Sequence, residues 1–195
     1  EFRDVTKTYG HDLAVTNFSL SAPSGKITVL MGLSGSGKTT LLRTVNKLVQ
    51  PTSGSVLIDG NDIANLDSVV LRRSIGYVMQ EVGLLPHKSV LDNVTLIAQI
   101  AGQDKDEALR NALELLELVG IGSSFHDRFP GQLSGGQQQR VGVARALAIR
   151  PNILLMDEPF GAVDPIVREE LQDELIRIQR QLSLTIILVT HDRYE

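Results

Sequence analysis

Gly32-Leu33-Ser34-Gly35-Ser36-Gly37-Lys38-Thr39 places glycines, a lysine and a hydroxyl in the order G-x-x-x-x-G-K-[ST]. Glycines let a backbone curl until successive amide hydrogens converge on phosphate oxygens. A lysine after them adds a mobile cation for the outer phosphates, and a threonine hydroxyl is a hard oxygen donor suited to Mg²⁺. Gly32 through Thr39, together with Thr40, are the expected phosphate-contacting residues. A second chemical pair closes the apolar run Ile153-Leu154-Leu155-Met156, where Asp157 and Glu158 stand side by side. Adjacent residues of an extended segment point in different directions. Asp157 is therefore expected to hold the metal shell, and Glu158 to polarise an attacking water, a role worth about 10² to 10⁴ in rate.

The elements around these residues fit that chemistry. Lys26 to Met31 reads as a strand entering the glycine loop, and Leu41, Leu42, Val45 and Leu48 recur at helical spacing after it. A helix that starts there presents unpaired N–H groups and the positive end of its dipole to the anion. Ile75 to Met79, Ile153 to Asp157 and Thr185 to Thr190 are the other expected strands of a mainly parallel central sheet, whose ligands belong outside the carboxyl ends of the strands. Phe2 to Val5, Leu13 to Leu20 and Ser55 to Ile58, the last closed by the turn pair Asp59-Gly60, predict an antiparallel portion near the N-terminus.

Between Val90 and Gly120 the period becomes helical, with Ala108, Leu109, Ala112, Leu113, Leu116 and Val119 on one stripe and Gly120 where a terminating glycine belongs. Asp164-Pro165 opens a later helix whose Leu171, Leu175, Ile178 and Leu182 should face the core. Leu133-Ser134-Gly135-Gly136-Gln137 precedes the helical run Val141 to Ala148, so Ser134 and its glycines form a second helix start able to face an anion. One nucleotide does not need two such starts in the same arrangement.

Composition narrows the function classes. A net charge of −4, from 19 Lys and Arg against 23 Asp and Glu, gives no support for gripping a phosphate backbone by bulk electrostatics. The longest apolar runs fall far short of the roughly 20 residues of a membrane-spanning helix. With no cysteine in the chain, a reducing cytoplasm is the easiest compartment to reconcile with it. The chain opens inside an expected strand without an initiator Met and stops four residues after His191, which reads as a fragment.

These motifs, in this order, resemble the ATP-binding-cassette (ABC) family over nearly the whole chain. The resemblance implies an α/β fold: a P-loop NTPase core with a mainly parallel sheet, an N-terminal antiparallel β portion and an inserted α-helical subdomain at about 81–150, all within one nucleotide-binding domain, 1–195, truncated after the switch histidine. It implies ATP and Mg²⁺ as cofactors. Leu133 to Gln137 is similar to the family's signature motif, so Ser134, Gly135, Gly136 and Gln137 are expected to cap a γ-phosphate held by the opposite subunit. Gly161-Ala162-Val163-Asp164 is similar to the dimer-contact loop, with Val where Leu is more usual, and adds Asp164 to that set.

Gln80 matches the glutamine that touches metal or water and senses the membrane partner, and His191 matches the switch histidine. Tyr9 is expected to stack on adenine, with Val15 beside the nucleoside. The catalytic set is then Glu158, His191, Lys38 and Gln80, and the metal set Thr39, Gln80 and Asp157.

Partners implied by the resemblance are a second copy of the ATPase on ATP binding, integral-membrane permease subunits, and indirectly an extracellular or periplasmic solute-binding protein, with no nucleic acid. The implied location is the cytoplasmic face of the cell membrane, held peripherally. The helical portion and the Gln80 loop would form the docking groove, with Leu84, Leu85 and Pro86 either meeting a partner helix or packing in the subdomain core. Leu71 to His87 and Phe160 to Arg168 are most similar to importers of quaternary amines such as glycine betaine, carnitine or choline. An importer ATPase for amino acids or other solutes, a soluble cassette acting in DNA repair or translation, and a metabolic kinase using the same loop are the alternatives. A kinase would not need Leu133 to Gln137.

Overall fold

The computed structural model describes residues 1–161 and 163–191. β1 (Phe2–Tyr9) and β2 (Asp12–Leu20) form an antiparallel hairpin. β3 (Ile27–Met31) runs into the glycine loop, and α1 (Lys38–Val45) leaves it. β4 (Ser53–Ile58) and β5 (Asn61–Asp62) join the hairpin in a sheet of order β2-β1-β4-β5. Asp59 and Gly60 both take positive φ between them, as a tight hairpin turn requires. Next come α2 (Ser68–Ser74), β6 (Ile75–Val78), α3 (Val90–Ile100), α4 (Lys105–Leu118), α5 (Gly135–Leu147), β7 (Ile153–Asp157), α6 (Pro165–Leu182) and β8 (Thr185–Thr190).

β3, β8, β7 and β6 lie side by side in that order, all parallel, with Val78 paired to Met156, Asp157 to Val189 and Met31 to Thr190. Their carboxyl ends therefore finish on one edge of the sheet. A parallel sheet covered on both faces buries alternate side chains in opposite directions. Leu154 and Met156 of β7 pack with α3 to α6, while Leu155 packs with α1, α2 and the antiparallel sheet. Two hydrophobic clusters thus share one strand, and neither layer can slide without disturbing the other.

Three expectations are corrected, and a fourth is resolved in more detail. Leu48 is 52% exposed and lies outside α1, because Asn46 ends the helix and Lys47 turns the chain with a left-handed backbone. The helical stretch from Val90 to Gly120 is two helices, broken before Asp104, whose carboxylate caps α4. Within α4, Leu109 and Leu113 are each 39% exposed, and Asn111 and Leu115 take their place inside. The stripe is rotated because the Asn111 amide is held at 2.8 Å by the Ala148 carbonyl. Leu182 faces outward, while the buried Gln179 donates to the Gly25 and Leu184 carbonyls and turns α6 into β8.

α5 sits against the segment after β6 at unusually close range. A Cβ added at Gly142 would lie 2.4 Å from Val82 Cγ1. Three residues on, the Arg145 guanidinium donates to the Val82 and Gly83 carbonyls. Leu84 is half-buried against the core, and Pro86 is exposed.

Candidate nucleotide site

The glycine loop occupies the mouth of the sheet between β3 and α1, anchored by the Gly32 amide on the Thr190 carbonyl. Gly37 takes φ +86, and a Cβ there would lie 2.1 Å from the Ala14 carbonyl oxygen, so only glycine fits. α2, α3, α4, α5 and α6 each carry an Asp or Ser side chain that accepts from their first turn. α1 begins at Gly37 with no side-chain cap. Its leading amides therefore point unspent toward the loop, which is what an anion requires. Lys38 Nζ donates to the Gly32 and Leu33 carbonyls at 2.8 Å each, leaving a third donor on the ammonium.

Opposite the loop, the Thr39 hydroxyl donates to Asp157 Oδ1 at 2.7 Å. Asp157 is 1% exposed. Its other oxygen, Oδ2, accepts from the Tyr77 hydroxyl at 3.1 Å and lies 3.6 Å from Arg43 Nη2. Burial pushes the Tyr77 phenol above its ordinary pKa, so it stays protonated and able to donate. A neutral hydroxyl and a carboxylate oxygen this close form a donor pair for a hard cation that takes its remaining ligands from water and phosphate, and the residues fit Mg²⁺.

Glu158 follows at the strand end, with its amide on the Val189 carbonyl and its backbone at φ 47. A left-handed conformation immediately before a proline is strained and persists only where the surroundings enforce it. Glu158 Oε2 accepts from Gln80 Nε2 at 3.0 Å and lies 3.2 Å from His191 Nδ1. Both contacts fall on one oxygen. Oε1 has no hydrogen bond among those described.

The expected residues thus gather at the ends of all four parallel strands: Gly32 to Thr40 after β3, Gln80 after β6, Asp157 and Glu158 at β7, and His191 after β8. Val15, half-buried on β2, stands against the Gly37 backbone, and Tyr9, 49% exposed at the end of β1, has Lys7 Nζ 4.9 Å from its ring centre. Ser134 to Gln137 and Asp164 share no described hydrogen bond or ion pair with these residues. Ser134 accepts from the Gln137 amide while the Gln137 side chain accepts from the Ser134 amide, a reciprocal cap on α5. A Cβ on Gly136 would lie 2.8 Å from Val167 Cγ1, and the Val167 amide is bonded to Asp164, so the starts of α5 and α6 adjoin. Ala162, within the expected string Gly161 to Asp164, lies outside the described residues.

Two members of the site, Arg43 and Tyr77, were not among the expected residues. Arg43 stands one helical turn beyond Thr39, and such i, i+4 pairs share a face, which is a usable signal. Tyr77 is found only through the register that pairs it with Leu155, two residues before Asp157 on the same face of the sheet.

A family model described as ABC transporter matches residues 15–161. The chain belongs to the ABC transporter family. The cassette is 47% identical over its whole length to a carnitine transport ATP-binding protein, OpuCA, of Listeria monocytogenes, covering 49% of that protein. It is 48% identical to a glycine betaine uptake system ATP-binding protein, YehX, of Escherichia coli, over 98% of the chain and 62% of the relative. Among solved structures it resembles the dimeric bacterial ABC transporter cassette MJ0796, with TM-score 0.87 and 39% identity over 98% of this chain and 87% of that one. It is also similar to the same cassette in a dimeric post-hydrolysis state bound to ADP and Pi, with TM-score 0.86 and 38% identity over 98% of this chain and 87% of that one. The chain spans about half the length of the first curated relatives it matches. Among the described residues, no helix is long and apolar enough to cross a membrane.

Proposed function

We propose that the chain is the ATP-binding and ATP-hydrolysing part of an importer that takes up a small quaternary-amine osmoprotectant, working as one of two facing copies beneath membrane permease subunits. The observation that carries the reading is the convergence of Lys38, Thr39, Asp157, Glu158, Gln80 and His191 at one edge of the sheet, beside the uncapped start of α1. Names of relatives that transport carnitine, choline and glycine betaine support the substrate class.

Residues 32–40 hold the triphosphate through loop amides and Lys38, and Tyr9 with Val15 receives the adenosine end. Thr39, Asp157 and Gln80 would hold Mg²⁺, which when bound supplies positive charge to the β- and γ-phosphate oxygens. A water oxygen attacks the γ-phosphorus, the bond to the β-phosphate bridging oxygen breaks with its electron pair leaving on ADP, and the water's proton passes to Glu158 Oε1. Gln80 and His191, both on Oε2, orient that carboxylate. Ser134, Gly135, Gly136, Gln137 and Asp164 serve the opposite copy's nucleotide. The helical part, at about 81–150, and the segment after β6 form the permease-facing groove. A cavity of about 350 Å³ lined by Arg72, Met79, Ile97, Ile100 and Arg145 supports that assignment. The cassette then lies on the cytoplasmic face of the membrane, with a solute-binding protein acting from the other side.

Glu158→Gln tests the reading, because it keeps the side-chain shape and removes the proton acceptor. ATP affinity should hold while turnover falls about 10²- to 10⁴-fold, and a nucleotide-bound dimer should accumulate on size exclusion. Wild-type steady-state hydrolysis in this variant would remove Glu158 from the role of base.

A further inference from the structure

Asp157 is a carboxylate sealed from water, and a buried carboxylate is tolerated only when both oxygens are supplied with donors. The phosphate loop supplies one of them, through Thr39 on Oδ1. The other, Oδ2, is supplied from a different part of the fold. Tyr77, on β6, donates its hydroxyl proton to Oδ2 at 3.1 Å. Arg43, on α1, donates through Nε to the Tyr77 hydroxyl at 3.2 Å and brings Nη2 to 3.6 Å from the same carboxylate oxygen. The phenol oxygen therefore accepts from a cation while giving its proton to an anion, a chain in which each bond polarises the next. The pairing of Tyr77 with Leu155 fixes the reach of the phenol from the neighbouring strand, and one helical turn from Thr39 fixes that of the guanidinium.

We infer that Tyr77 and Arg43 are positioning residues for the metal site: together they fix Asp157 Oδ2, so that the carboxylate plane is set and Oδ1 faces the ion beside the Thr39 hydroxyl. The inference rests on the reading of Thr39 and Asp157 as Mg²⁺ donors. Neither residue touches nucleotide or water in this role; each acts through the carboxylate. Groups that orient a metal ligand from behind are worth about 10- to 100-fold in metal affinity.

The test uses Mn²⁺ as the probe, titrated by electron paramagnetic resonance against the purified chain in the presence of ADP. Tyr77→Phe keeps the ring and its packing and removes only the hydroxyl. Mn²⁺ affinity should weaken about 10- to 100-fold, and ADP affinity measured in EDTA should stay at the wild-type value. In turnover assays the Mg²⁺ concentration for half-maximal rate should rise by the same factor, with the rate recovering at high Mg²⁺. Arg43→Gln, on a side chain 45% exposed, should give a smaller loss, most of which disappears in the Tyr77→Phe background because the two act in series. Should Tyr77→Phe fail to fold, Arg43→Gln alone reads the same relay. Unchanged Mn²⁺ affinity in Tyr77→Phe, with affinity abolished in Asp157→Asn, overturns the positioning role and leaves the metal assignment standing. Unchanged affinity in Asp157→Asn as well overturns the metal assignment itself.

Discussion

Single residues set the chemistry through what their immediate neighbours forbid. Gly37 is the sharpest case, because its left-handed backbone and the Ala14 carbonyl together exclude any side chain. Gly37→Ala should lower stability by about 2 kcal/mol or more and abolish tight ATP binding, read by urea denaturation and calorimetry on one preparation. A variant with unchanged midpoint and affinity would show that the loop tolerates the group. The residues of the glycine loop, the Asp157-Glu158 pair and the Ser134 cap were legible in the chain, since each is a contiguous string whose chemistry needs no knowledge of distant contacts. Tyr77 was not, because its meaning depends on a strand register that only the folded sheet supplies.

At the scale of elements, caps decide where helices begin and what their first amides are used for. Asp104 Oδ1 accepts from the Glu107 and Asp106 amides at 3.0 and 2.9 Å, and these bonds, Glu107's foremost, hold its carboxyl below the usual aspartate range. A carboxyl whose pKa is depressed on folding contributes stability that is full above its unfolded value and is lost as pH falls through the folded one. The stability gap between wild type and Asp104→Ala should therefore be widest near neutrality and close as pH drops through and below the aspartate range, as followed by urea midpoints. A gap that stays constant across that range would mean the carboxylate charge does not matter to the cap. β6, β7 and β8 were readable as largely apolar runs because both of their faces are mostly buried, whereas β3, at the edge of the sheet, leaves Val29 and Met31 exposed. Helix faces are less legible: Leu109, Leu113 and Leu182 are apolar and at core spacing, yet the buried amides of Asn111 and Gln179 claim those orientations through hydrogen bonds.

At the scale of the whole molecule, the proposed site draws on two surfaces: the strand ends with Lys38 and Glu158, and the adjoining starts of α5 and α6 with Ser134 and Asp164. If each surface completes a site on the opposite copy, subunits carrying Lys38→Ala mixed with subunits carrying Ser134→Ala should hydrolyse ATP where neither parent does. Mixtures that stay inactive while both parents remain folded would refute a shared site. The close seating of α5 sharpens what such closure does. Gly142 leaves no side chain between the helix and Val82, and Arg145 pins the same segment, two residues past Gln80. A joint built this way has no backlash: there is no soft layer to compress before motion is handed on, so a tilt delivered at one end of the helix reaches the glutamine's strand tip in step with it.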